Sequence, residues 1–367
     1  MSVNAISKDE VDRFASEFGF QSVKNAEKFM MNLRVHRILS DKMKCCLRGG
    51  LCTQFYATNP KSIRTSIDLD LFVEDAYDDA SYRIVKILAG KGLKGIPRKK
   101  RKVQNLLQID LRYDTERLLH GQKEHMKIDV LCGVDFNAFA KNIPSGHSTF
   151  AGNMEYDVIA VTRGCLIADK IASLAINGSG YKYEDKAPKQ IHDIGYLLDE
   201  ATVDELTESI TVFKRITELK TGGIERGSSS SVIQHIINFL SRLPVVNGEI
   251  MLQENYLKNF SVFRQEYLSE QVDYSINDLK SNVLKTMLYA TCAKKAVTGE
   301  ITASTSAKIA HDAINGTIGS SDKIRAELEG MAISGGDTAI APSKASLGVE
   351  AESNLQVLYG IWKLENW

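Results

Sequence analysis

Apolar residues recur at helical spacing through the first forty positions. Val11, Phe14 and Phe18, then Phe29, Leu33, Val35 and Ile38, stand among charges and predict helix over residues 9–40. The period then changes. Residues 44–47 predict a short strand running into Arg48-Gly49-Gly50 and a helix from Leu51. Residues 66–73 (SIDLDLFV) alternate polar and apolar, as expected of a strand with one buried face. A helix over 78–88 follows, then a glycine- and lysine-rich stretch, AGKGLKGIPRKKRK, expected as a loop. Residues 103–113 and 126–132 read as strands. Residues 161–176 and 188–198 read as helices, the second with Pro188 in its favoured first turn.

From about residue 200 strand signals stop and helical periodicity takes over, at 206–219, 232–243, 252–296, 307–314, 322–331 and 355–367. Two Gly/Ser stretches, TGGIERGSSSS (221–231) and AISGGD (332–337), interrupt it. The expectation is an α/β domain over 1–200 followed by a helical domain over 201–367.

Composition adds little to this and excludes much. The 367 residues, 43% hydrophobic and 25% charged, with 6 Pro and 26 Gly, belong to an ordinary globular chain rather than a disordered or collagen-like one. Basic and acidic residues balance at 46 each, which argues against bulk coating of nucleic acid but not against a local basic site. The balance is a cancellation: residues 1–200 carry 30 basic and 26 acidic residues, and residues 201–367 carry 16 and 20. The six cysteines lack CxxC spacing and nearby histidines, as for small buried side chains in a reducing compartment. No signal-peptide pattern or membrane-length apolar run occurs, so the expected location is the cytoplasm, with no membrane partner.

Candidate chemistry lies in the carboxylates. Asp68 and Asp70, two apart on a predicted strand, leave the same face. Carboxylates held side by side repel one another unless a cation shares them. A third acid, Asp129 in MKIDVL, lies on another apolar strand, and three such oxygens suit Mg²⁺. The Gly49-Gly50 turn at a helix start offers backbone N–H groups to phosphate. Together these features point to metal-assisted nucleotidyl transfer from an NTP. In TRGCLIADKIASLAI, Lys170 falls on the apolar stripe of Leu166, Ile167, Ile171 and Leu174, and a buried ammonium needs an anion. Asp193, in QIHDIGYLLD, stands at a stripe edge beside Ile194 and Leu197.

These motifs, in this order, resemble the AbiEii/MenT-type nucleotidyltransferases, toxins of type IV toxin–antitoxin and abortive-infection (phage-defence) systems. The resemblance rests on Leu47-Arg48-Gly49-Gly50, on Arg64-Thr65-Ser66-Ile67-Asp68-Leu69-Asp70-Leu71 and on Lys127-Ile128-Asp129-Val130. Ala168-Asp169-Lys170 and Lys189-Gln190-Ile191-His192-Asp193 extend it, over roughly residues 40–200 in all. It implies a polymerase-β-like nucleotidyltransferase core with a C-terminal helical domain. Gly49 and Gly50 would hold nucleotide phosphates, Arg64 and Ser66 would line that site, and Asp68 and Asp70 would bind metal. Lys170 would contact the triphosphate and Asp193 would complete the essential set. Tyr196 stands where the family often has a second acid. Asp110, in LLQIDLRYD, competes with Asp129 for the third carboxylate position.

The resemblance further implies nucleotide transfer to RNA, for some members the 3′ end of tRNA, which blocks translation, and a cognate antitoxin encoded nearby. Lys94, Arg98, Lys99, Lys100, Arg101 and Lys102 place six positive charges within nine residues and are the candidate RNA contact. A small molecule or protein side chain as acceptor, or a non-catalytic nucleotide-binding module, are the competing readings.

Overall fold

The structure is a computed structural model. It describes residues 5–98, 105–118, 122–144, 156–175, 187–221, 228–243, 254–319, 324 and 352–365. Contacts group the chain into two compact units, Met1–Thr162 with Ser261–Asp273, and Arg163–Phe260 with Tyr274–Trp367. The change of texture near residue 200 falls inside the second unit, because the helices on either side of it pack on one another.

The first unit is built on a mixed sheet. Its strands are β1 (Ala5–Ile6), β2 (Cys45–Arg48), β3 (Asp68–Val73), β4 (Lys94–Pro97), β5 (Leu106–Thr115), β6 (Lys123–Leu131), β7 (Ala140–Ile143) and β8 (Val158–Val161). They run in the order β1-β5-β6-β3-β2-β8-β7, with β4 paired to β5. The central pairs set the site: β3 lies antiparallel to β2 and parallel to β6, and β6 lies antiparallel to β5.

Period-two patterning divides the central strands cleanly. Leu69, Leu71, Leu107, Ile109, Leu111, Ile128 and Val130 are fully buried. Asp68, Asp70, Gln108, Asp110, Lys127 and Asp129 alternate with them and are partly accessible, so they share the opposite face. Helices α1 (Lys8–Phe18), α2 (Val23–Ser40), α3 (Gly49–Tyr56) and α4 (Tyr77–Ala89) complete this unit. Against α4, Gly95 gives the room: a Cβ there would stand 3.1 Å from Leu88 and 3.2 Å from Ile109.

Several expectations need correction. The helix over 9–40 is two helices, because Gly19 takes a left-handed conformation (φ 66°) and caps α1. The stretch expected as a loop contains β4, which places Lys94 on a strand and leaves Arg98 just beyond it. Strands β1, β7 and β8 escape the periodicity because two to four residues are too few to show one. The run over 252–296 is also two helices, α9 (Glu254–Tyr267) and α10 (Ile276–Val297). Between them Leu268 bridges to Arg64 and the Thr65 N–H donates to the Tyr267 carbonyl, so this segment belongs to the first unit. Ser275 and Asp278 form a reciprocal capping box that restarts the helix. The helix expected over 322–331 lies, apart from Ile324, outside the described residues, as do both Gly/Ser stretches except Thr221 and Ser228–Ser231.

The second unit is helical: α5 (Arg163–Ala172), α6 (Ala187–Asp199), α7 (Val203–Thr221), α8 (Ser229–Ser241), α10, α11 (Ala303–Ile314) and α12 (Glu352–Glu365). Helix α10 is central to it and packs against α6, α8, α11 and α12, while α5 packs on α7. Leu279, Val283, Met287, Leu288 and Cys292 form its buried stripe. Gly195 permits the close α6–α10 approach, since a Cβ would fall 2.0 Å from Asn282. All six cysteines are buried and none forms a disulfide among the described residues. No described helix is long and apolar enough to cross a membrane.

Candidate active site

Strand register assembles the acidic face row by row. Arg48, Asp70, Asp129 and Gln108 stand opposite one another across β2, β3, β6 and β5. The next row contains Asp68, Lys127 and Asp110. Neighbouring strands lie about 4.8 Å apart, so Asp70 and Asp129 are adjacent whereas Asp110 is a further strand away from β3. This bears directly on the third carboxylate. Asp110 accepts two hydrogen bonds from Arg98, at 2.7 and 2.6 Å, and its pKa is lowered chiefly by them. By register, Asp129 is the acid beside the Asp-x-Asp pair.

Asp129 already has partners. Lys127 donates to its Oδ2 at 2.5 Å and Gln108 donates to its Oδ1 at 3.0 Å. Burial acts to lower the Lys127 pKa, but Asp129, then Asp68 and Asp70, outweigh it and raise the value above that of an ordinary lysine. Asp70 lies 3.6 Å from the Arg48 guanidinium, which itself stacks over the Phe72 ring. The described residues contain no group of three or more His, Cys, Asp or Glu side chains arranged to hold a metal. The donor chemistry fits a hard divalent cation at Asp68 and Asp70, two carboxylates on one strand face. Each oxygen of Asp129 accepts one hydrogen bond and retains a second lone pair, so it can join them once Lys127 gives way.

The glycine turn is shaped by these same side chains. Gly49 has φ +70°, and a Cβ there would stand 2.2 Å from Asp70 Oδ2. A Cβ on Gly50 would stand 2.6 Å from Ser66 Oγ and 3.0 Å from an Arg64 terminal nitrogen. The missing Cβ atoms therefore admit the chain's own Asp70, Ser66 and Arg64, a closer reason for glycine than phosphate approach alone. Arg48, at the N-cap of α3, makes no side-chain capping hydrogen bond, and helix starts of this kind attract anions.

Arg64 and Ser66 are held from several sides. Arg64 is fully buried, and its guanidinium donates to the Thr65 carbonyl at 2.7 Å. Its backbone N–H donates to Gln54 on α3, and Asn32 on α2 donates to the Ser66 carbonyl at 2.7 Å. Residues Lys127, Gln108, Asn32 and Gln54 were not foreseen as parts of the site. The first two carried a signal, since each stands two positions before an acid of the face.

In the second unit, Lys170 on α5 and Asp193 on α6 form an ion pair at 2.5 Å. Both side chains are essentially inaccessible, 3% and 0% exposed, so the anion required by a buried lysine is Asp193. His192, next to Asp193 on α6, packs edge-on against Tyr196 and Tyr274. Of the basic run, Lys94 is exposed on β4 and Arg98 is engaged by Asp110. Lys99, Lys100, Arg101 and Lys102 lie outside the described residues.

Comparison with known proteins follows from this geometry. Among solved structures the chain is similar to JHP933 from Helicobacter pylori, with 12% identity, 80% of this chain and 96% of that chain covered, and a TM-score of 0.42. It is also similar to a candidate nucleotidyltransferase from H. pylori (13%, 77% and 98%, TM-score 0.40). A third is an antigenic nucleotidyltransferase-like protein from Paracoccidioides brasiliensis (13%, 68% and 95%, TM-score 0.34). Likenesses this remote carry no functional weight. No curated protein matches the sequence. The family profile described as nucleotidyl transferase AbiEii toxin, type IV TA system, matches residues 37–273. That span takes in the glycine turn, the acidic face and the Lys170–Asp193 pair, and with it the chain belongs to the AbiEii family of nucleotidyltransferase toxins.

Proposed function

We propose that this nucleotidyltransferase transfers nucleotides from an NTP to an RNA acceptor, the 3′ end of tRNA, in a Mg²⁺-dependent reaction that blocks translation. The observation that carries the reading is the row formed by Asp70 and Asp129 beside the Gly49-Gly50 turn, with Asp68 one row away on the same face. An acceptor 3′-hydroxyl attacks the α-phosphate in line, the bond to the β-phosphate breaks, and pyrophosphate leaves. Bound Mg²⁺ would be held by Asp68 and Asp70, joined by Asp129, and would supply charge neutralisation at the phosphates.

The remaining roles belong to the chain itself. The start of α3 presents backbone N–H groups to the phosphates, with Arg64 and Ser66 lining that site. Lys170 is the proposed triphosphate contact, and Asp193 holds its ammonium in place. The family relationship implies an antitoxin as partner, and we expect it to be encoded nearby. The basic run from Arg98 to Lys102 is the proposed RNA contact, supported by its charge density. The helical residues 201–367 and this run favour a macromolecular acceptor over a small one.

The test is incubation of purified protein with Mg²⁺, each labelled NTP in turn and total tRNA. Label in tRNA with at least one NTP is expected. No incorporation with any of the four would contradict the proposal, and label on protein or a small molecule alone would replace the acceptor.

A further inference from the structure

Lys127 occupies a singular position on the acidic face. Its row neighbours on both sides are acids, Asp68 on β3 and Asp110 on β5. Asp110 is satisfied bidentately by Arg98, so it makes no demand on the lysine. Lys127 instead reaches along its own strand to Asp129 Oδ2 at 2.5 Å. Asp70, in the same row as Asp129, has the Arg48 guanidinium and the start of α3 beside it. The ammonium of Lys127 therefore stands close enough to Asp129, Asp68 and Asp70 for all three to act on it, near where a divalent cation shared by them would have to stand. An ammonium and a divalent cation drawn to the same carboxylate repel one another, so each weakens the hold of the other.

We infer that Lys127 is an internal counter-ion that competes with the divalent metal for Asp129, so that the nucleotide-free protein binds metal weakly and the site is completed only when metal arrives with the NTP. The inference rests on reading Asp68, Asp70 and Asp129 as the metal ligands. It adds a positioning residue that sets the order of assembly. In the resting protein Lys127 and Gln108 keep the Asp129 carboxylate oriented on the sheet face. When the nucleotide brings its metal, the negative triphosphate gives the displaced ammonium another partner, and Lys127 leaves Asp129.

The test is Mn²⁺ binding to the full chain without nucleotide, read by electron paramagnetic resonance of the free ion. Lys127→Met is expected to bind Mn²⁺ at least tenfold more tightly than the native protein. Lys127→Arg, which keeps the charge, should bind like the native protein. Adding a non-hydrolysable NTP analogue should shrink the difference between native and Lys127→Met. Circular dichroism establishes that each variant is folded, and Lys127→Gln serves if the Met variant is not. Equal or weaker Mn²⁺ affinity in the folded neutral variant overturns the inference. Adding Asp70→Asn separates the two claims. If it weakens Mn²⁺ binding while Lys127→Met changes nothing, the ligand assignment stands and the role of Lys127 falls. If it has no effect in either background, or neither protein binds Mn²⁺, the ligand assignment falls and the inference with it.

Discussion

Replacing Lys170 by Met leaves the Asp193 carboxylate buried, 0% exposed, without the ammonium that stands 2.5 Å away in the native protein. Removing one partner of such a pair costs about 3–5 kcal/mol, because the other charge loses its counter-ion in a medium that solvates it poorly. Asp193→Leu should cost a similar amount by stranding the lysine. Replacing both with apolar residues of similar volume removes both charges, and stability should return to the native level or exceed it by up to about 4 kcal/mol. The second unit is helical, so far-ultraviolet circular dichroism in a urea titration reports the unfolding of the helices that carry the pair. With an m-value of about 3 kcal/mol/M, each single variant should move the midpoint down by roughly 1 to 1.7 M. NTP incorporation provides the second readout. If Lys170 serves the triphosphate, the double variant regains its fold but not its activity. A double variant as unstable as either single would refute the stability argument. One that is stable and fully active would show the pair to be structural only.

Other positions give independent checks. Gly49→Ala places a Cβ 2.2 Å from Asp70 Oδ2 at φ +70°, so NTP incorporation should fall by more than 100-fold while the chain still folds; near-native activity would exclude the tight Gly49–Asp70 contact. Gly195→Ala should lower the urea midpoint of the second unit through a 2.0 Å approach to Asn282, and Asn282→Ala added to it should recover much of the loss; no recovery would mean the clash lies elsewhere. His36 is fully buried, and burial lowers its pKa to about 4 from an ordinary 6.5. The unfolded chain therefore takes up the proton first as pH falls, and stability is present above pH 6.5 and lost between about 6.5 and 4. Up to about 3 kcal/mol is at stake, and His36→Asn should flatten the acid side of a circular-dichroism stability profile over that range.

Much of the acidic face was legible because a strand side-chain period of two is strict. Asp68 and Asp70 had to share a face, and Lys-Ile-Asp on β6 had to present Lys127 and Asp129 together. Which acid neighbours β3 was not legible, since it depends on strand order: β6, not β5, lies beside β3. The pairing of Asp110 with Arg98 was hidden for a related reason. It requires β4, whose four residues include two that interrupt strand patterning, Gly95 and Pro97. The helical stripe placed Lys170 inward correctly, but no periodicity names its partner on another helix. The glycine pair was recognised for its freedom to approach phosphate. Only the folded chain brings Asp70, Ser66 and Arg64 into the space a Cβ would take. Segment 268–274 illustrates the opposite limit. A long apolar rhythm continued through it, and only its pairing with Arg64 and Thr65 reveals a break.

The central claim, nucleotidyl transfer at the Asp68–Asp70 face, is tested most directly by positional labelling. NTP labelled at the α-phosphate and NTP labelled at the γ-phosphate are each incubated with tRNA and with native, Asp68→Asn or Asp70→Asn protein. Label from the α position alone should appear on the tRNA 3′ end, with each variant reducing it by at least 100-fold. Transfer of the γ label, or undiminished α labelling by the folded variants, would contradict the account.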